Sequence, residues 1–69
     1  MSERHFIVYL RDSSWQYSYR GSVTAPFKTR EEAIEAAISE AREQNDPEIE
    51  VVVQDADMRS ETVWRPDGL

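Results

Sequence analysis

The sequence predicts an α+β domain in which a four-stranded, mainly antiparallel sheet packs on one helix. Three observations favour this ββαββ fold class: a capped amphipathic helical pattern in mid-chain, two strand-like segments before it, and two after it. The length of 69 residues allows one domain. We therefore expect a single domain over residues 1–69, with an ordered core at about residues 5–65 and a frayed C-terminus.

The first predicted strand is the apolar run over residues 5–10. Side chains alternate along a strand, so this one has apolar groups on both faces: Phe6, Val8 and Leu10 on one, Ile7 and Tyr9 on the other. A strand of this kind is typical of the centre of a sheet.

The second predicted strand covers residues 15–20 and follows the turn-forming residues 11–14. It places Trp15, Tyr17 and Tyr19 on one face and polar groups on the other. Packing beneath the helix explains these aromatic residues, and stacking on nucleobases is the alternative. Residues 21–26 are then predicted to be a connecting loop.

The helix is predicted to begin after Thr29, an N-cap residue that Glu32 completes as a capping box. An alanine-rich apolar stripe follows at helical spacing: Ala33, Ile34, Ala37, Ile38 and Ala41. Asn45 suits a left-handed C-terminal residue, and Pro47 prevents the helix from continuing.

Two short strands are predicted after the helix. Residues 48–54 alternate, with Ile49, Val51 and Val53 facing inward and Val52 on the reverse side. Residues 55–59 are turn-like, and residues 61–65 form a final strand that Pro66 ends.

The predicted order of these strands in the sheet is 2-1-3-4, because a crossover through the helix is right-handed. One helix covers one face only. The other face would expose four apolar residues: Ile7, Tyr9, Val52 and Trp64. Because a patch of this size is typical of an interface, we expect a homodimer formed through the uncovered face.

Charge is unevenly distributed along the chain. The formal net charge of −6 argues against broad binding to nucleic-acid phosphates. Residues 1–30 nevertheless hold five basic residues against two acidic ones, and residues 31–69 hold three against twelve. This pattern fits an acidic, solvated helix face beside a mildly basic hairpin, or a dipolar surface that helps two copies, or an unknown protein partner, dock in register.

Composition excludes several kinds of site. Without cysteine there is no disulfide, thiolate metal site or cysteine nucleophile, and His5 is the single histidine. No apolar run approaches the length of a membrane span. The N-terminal residues lack the order of a signal peptide, so we expect a cytoplasmic protein.

Few residues suggest a catalytic or metal-binding site, and for each of them a structural role explains the sequence better than such a site. Asp55 and Asp57 offer two oxygen ligands, but they lie in a turn without the further ligands that calcium requires. His5 has no evident nucleophile to activate. An acid–base pair would need a cleft around the helix glutamates, namely Glu31, Glu32 and Glu35. We therefore predict no catalytic, cofactor or metal site, and no enzyme.

The motif Trp15…Phe27-x-Thr29-x-Glu31-Glu32-Ala33-Ile34-x-Ala36-Ala37, followed by residues 51–55, resembles a small bacterial family. That family is known only as a domain of unknown function, with the pattern W…F-x-T-x-x-E-A-I-x-x-A and a later valine-rich strand. The resemblance spans roughly residues 6–64. It implies a strand–strand–helix–strand–strand fold and no known activity.

Residues 15–21 and 27–33 also look like the arm-type DNA-binding domain of phage integrases. Such domains present a sheet face to the DNA groove, with Gln16 and Ser18 here projecting between phosphate contacts. The resemblance implies that those contacts come from the basic hairpin and its surroundings: Arg11, Arg20, Lys28 and Arg30. Nucleic-acid binding is therefore the alternative to a non-enzymatic interaction module that forms a homodimer.

Overall fold

The computed structural model describes residues 4–68 and contains one helix and five strands within them. Their bounds are β1 His5–Arg11, β2 Ser14–Tyr19, β3 Ser22–Phe27, α1 Arg30–Glu43, β4 Glu50–Gln54 and β5 Ser60–Trp64. The strands form a single sheet in the order β3-β2-β1-β4-β5. Two predictions lie outside the described residues: the fraying at Leu69, and the inclusion of Met1–Glu3 in the single domain.

The predicted α+β class, with one helix and a sheet, is confirmed. The prediction of four strands is wrong, because residues 22–27 form β3 rather than a loop and add a fifth strand at the β2 edge. The four predicted strands keep the predicted relative order, 2-1-3-4, as β2-β1-β4-β5. The sheet is mixed: β1 and β4 are parallel, and the other neighbouring pairs are antiparallel.

A tight turn explains the additional strand. Arg20 and Gly21 have φ angles of 53° and 82°, and they join the paired residues Tyr19 and Ser22. A two-residue loop with both φ angles positive fits the twist of a hairpin, so the chain reverses and pairs again. Asp12 and Ser13 form the same kind of loop between β1 and β2, with φ angles of 53° and 67°.

The local signals at both ends of α1 behave largely as predicted. The Thr29 hydroxyl accepts the Glu32 N–H at 3.1 Å, as an N-cap should. The Glu32 carboxylate accepts the Lys28 N–H at 3.2 Å, one residue earlier than in the usual capping box. Asn45 adopts the predicted left-handed conformation, with a φ angle of 54°.

The core lies between α1 and one face of the sheet. Ala33, Ala37 and Ala41 form the buried side of the helix. They contact Ile49, which directly precedes β4, and the buried sheet residues Phe6, Val8, Tyr17, Val51 and Val53. Because alanine has a single methyl group, the helix backbone approaches the sheet closely. The Phe6 and Tyr19 rings stack beneath it, with 4.0 Å between their centroids.

A larger side chain at the middle alanine should test this close packing. We expect Ala37→Leu to lower the free energy of unfolding by about 1–3 kcal/mol, since Ala37 is fully buried against the sheet. The matched control, Ser39→Leu on the exposed helix face, should change it by less than about 0.5 kcal/mol. Urea unfolding followed by circular dichroism measures both. Equal effects would contradict the close contact.

Candidate functional site

The face of the sheet opposite α1 has an apolar centre. Ile7 of β1 pairs with Val52 of β4, and Tyr9 follows two residues along β1 on the same face. The predicted exposure of Val52 is wrong, because this side chain is only 9% exposed between its neighbours in the sheet, whereas Ile7 and Tyr9 are half-buried. Among residues 4–68, α1 is the only helix, and it lies on the other face. We call these three residues the open-face patch.

Trp64, the fourth predicted interface residue, lies on the helix side. Its ring packs against the core cluster, and the Arg42 guanidinium carbon of α1 lies 5.9 Å from the ring centroid. The pairing of β5 with β4 explains the difference, because the register shifts between Val51 and Val52. Thr62 pairs with Val52 on the open face, and the bulge then turns Trp64 to the opposite side.

Polar contacts surround the open-face patch. The Glu50 carboxylate accepts the Thr62 hydroxyl at 3.2 Å and forms an ion pair with Arg65 Nε at 3.2 Å. His5 Nε2 lies 3.6 Å from Glu50 Oε1. Elsewhere on the face, the Gln16 amide donates to the Tyr9 hydroxyl at 2.6 Å. The open face therefore has an apolar centre with hydrogen-bonded polar groups beside it.

The missed strand adds one apolar residue to this face. Val23 of β3 pairs with Ser18 of β2. Ser18 lies between Tyr17 and Tyr19, whose rings face the helix side, so Ser18 and Val23 lie on the open face. Val23 is 55% exposed there. The sequence signal for its position was the Arg20-Gly21 turn, which predicts a hairpin and hence a strand.

The four basic residues predicted to contact nucleic acid do not form one cluster. Arg11, Lys28 and Arg30 lie where β1 and β3 end and α1 begins. Arg20 follows the opposite end of β2, and its guanidinium carbon lies 5.4 Å from the Tyr19 ring centroid. Six residues of extended β2 separate the two ends by roughly 20 Å.

The other residues considered for chemistry have structural contacts. Asp55 Oδ1 accepts the backbone N–H groups of Asp57 and Arg59, at 2.9 and 3.0 Å, and so shapes the loop between β4 and β5. Within residues 4–68, no group of three histidine or acidic side chains is placed to hold a metal ion. No helix in the same range is long and apolar enough to cross a membrane.

Tyr17 is the ionisable group with a shifted pKa. Burial and the hydrogen bond that its hydroxyl donates to Glu40 Oε1, at 2.6 Å, raise its pKa above the usual 10.0, and a hydrogen bond with Thr24 opposes the shift. A raised pKa keeps the phenol protonated and makes it a weaker acid. Its role is to connect β2 to α1.

Comparison with known proteins assigns no activity. The model of a family described as an uncharacterized protein conserved in bacteria, DUF2188, matches residues 5–64. The match confirms the expected resemblance to a bacterial family of unknown function, and it extends from β1 through β5. No curated protein and no solved structure matches the chain. The similarity to integrase arm domains stays a prediction.

The Tyr17 hydroxyl should make stability depend on pH in the alkaline range. Above pH 10.0 the unfolded chain loses the phenolic proton before the folded chain does, so the free energy of unfolding falls as pH rises. In Tyr17→Phe this fall should be smaller, and the variant should lose about 1 kcal/mol at neutral pH. Urea unfolding at a series of pH values measures both effects. An alkaline slope in Tyr17→Phe equal to that of wild type would contradict this role for the hydroxyl.

Proposed function

The chain belongs to the DUF2188 family of uncharacterised bacterial proteins, and we propose that it is a non-enzymatic module that self-associates through its open face. The observation that carries this proposal is the open-face patch, an apolar centre on a sheet face without a helix over it. A cytoplasmic location, predicted from the sequence, remains part of the proposal.

The composition of the open face supports pairing with a second copy. Tyr9 and Ile7 supply an aromatic and a branched apolar contact at the centre, where interfaces concentrate their binding energy. Glu50, Thr62 and Arg65 satisfy one another on one side of the patch, so pairing would not bury them without partners. An apolar centre with a polar rim is the usual anatomy of a protein interface.

The size of the face sets the strength of the proposed dimer. Five strands spaced about 4.8 Å apart, each about 17 Å long, give a face roughly 20 Å wide. Two such faces would bury on the order of 700–1,000 Å² in total, at or below the low end for specific interfaces. We therefore expect a reversible dimer that forms as the protein concentration rises.

A charged side chain in the patch should prevent self-association. We expect Ile7→Lys to weaken the dimer at least about tenfold, since pairing would bury an unpartnered ammonium group. Sedimentation equilibrium over a range of concentrations should show wild type approaching twice the monomer mass of 8.0 kDa while the variant stays monomeric. Circular dichroism confirms that the variant folds.

Ser39→Lys is the matched control, because Ser39 is exposed on α1, on the opposite side of the sheet from the patch. It should associate like wild type. A wild-type protein that remains at 8.0 kDa throughout, or an unchanged Ile7→Lys dimer, would overturn the proposal.

Gel-shift titration at low salt tests the alternative, nucleic-acid binding through the basic hairpin. We expect no shift with duplex or single-stranded DNA, because the net charge is −6 and Arg20 lies apart from the other cations. A shift that weakens in the double variant Arg11→Gln with Lys28→Gln would instead favour the alternative.

A further inference from the structure

Two grooves meet at Trp15, at the end of the sheet where α1 begins. The first has a volume of 510 Å³, and Arg30, Arg59 and Ser60 line it together with Trp15. The second has a volume of 390 Å³ and is mainly apolar, with Leu10 and Met58 among its lining residues. Trp15 and Asp55 line both grooves and together form their shared wall.

The two arginines of the first groove differ from other arginines of the protein. Arg65 forms an ion pair with Glu50, and Arg42 stacks on Trp64. Within residues 4–68, no carboxylate lies within ion-pairing distance of Arg30 or Arg59. Their guanidinium groups are therefore available to an anion from outside the chain.

Separate, well-held backbone elements bring these arginines to the same groove. Arg30 is the first residue of α1 and directly follows the N-cap Thr29. Arg59 ends the loop after β4, where its carbonyl accepts the Asp55 N–H at 2.8 Å and its own N–H donates to the Asp55 carboxylate. Hydrogen bonds thus fix the backbone of Arg59, which reduces the entropy lost on binding a ligand.

The second groove exposes apolar groups next to these cations. Leu10 is 55% exposed and Met58 is 75% exposed, and both are large hydrophobic residues at the same end of the sheet. Since Trp15 separates this apolar surface from the two arginines, the site offers a charged part and an apolar part side by side.

We propose that this end of the sheet binds a small organic anion. Its phosphate or carboxylate group pairs with Arg30 and Arg59, and its apolar body lies against Trp15 and extends towards Leu10 and Met58. Guanidinium groups suit phosphate and carboxylate because they offer paired N–H donors. Both groove volumes lie within the range of small-molecule sites.

Acidic residues at the site should lower its affinity for an anion, so removing one of these charges should raise that affinity. Glu61 also lines the first groove and would repel the ligand's anionic group. Asp55 Oδ1 accepts two backbone N–H bonds, which partly compensate its charge. We therefore expect Glu61→Gln to tighten binding, whereas loss of the arginines weakens it.

Fluorescence of Trp15 provides the test. In Trp64→Phe, Trp15 is the remaining tryptophan, and circular dichroism establishes that the variant folds. Titration with phenyl phosphate and with benzoate should change the Trp15 emission, and the change should saturate at millimolar ligand concentrations, as expected for ligands of this size. The better of the two identifies the preferred anionic group. Phenol, which has the same ring without the anion, should bind at least about tenfold more weakly.

Further variants in the same background locate the ligand. The double variant Arg30→Gln with Arg59→Gln should bind phenyl phosphate about tenfold more weakly. Arg20→Gln, at the other end of the sheet, should bind it with unchanged affinity. Met58→Ser should weaken the binding of phenyl phosphate and leave the binding of inorganic phosphate unchanged. A lack of saturation with both anions, equal binding of phenol, or unchanged binding to the double arginine variant would overturn the proposal. None of these outcomes requires that the chain self-associates.

Discussion

The close contact between the alanine side of α1 and the sheet is the constraint on which the rest of the structure depends. Ala33, Ala37 and Ala41 lie one turn apart on the helix and have no side chain beyond a methyl group. The bulk of the core must therefore come from the sheet, and it does, through Phe6, Tyr17 and the valines of β4. The buried side of the helix contributes backbone proximity, with Ile34 and Ile38 packed against the core as partly buried residues. The close approach makes the buried alanines intolerant of larger residues.

The position of the helix on one face of the sheet determines which surfaces remain available for binding. A helix of 14 residues is about 21 Å long and covers one face of the sheet. Because Ile7, Tyr9 and Val52 alternate with core residues on the same strands, the open face is apolar at its centre, and no helix within residues 4–68 covers it. The helix also begins beside Trp15, so the grooves around this side chain stay accessible at that end.

The sequence allowed prediction of the features that depend on local chemistry. The cap at Thr29, the alanine stripe and the inward residues of β1, β2 and β4 follow from spacing and hydrogen-bonding capacity. The features that failed depend on pairing between strands. β3 exists because the Arg20-Gly21 turn returns the chain to β2, and Trp64 changes face because β5 has a bulge against β4. The meeting of Arg30 with Arg59 joins residues 29 positions apart, and no local pattern encodes it.

The two proposed surfaces are not separate in space, because Tyr9 belongs to both. It forms part of the open-face patch, and it also lines the apolar groove beside Trp15. The Gln16 amide donates to its hydroxyl at 2.6 Å, which holds the ring in one position. A bound anion and a second copy, as proposed, would therefore both contact Tyr9. Linkage is reciprocal, so any effect of the anion on self-association would equal the effect of self-association on affinity for the anion.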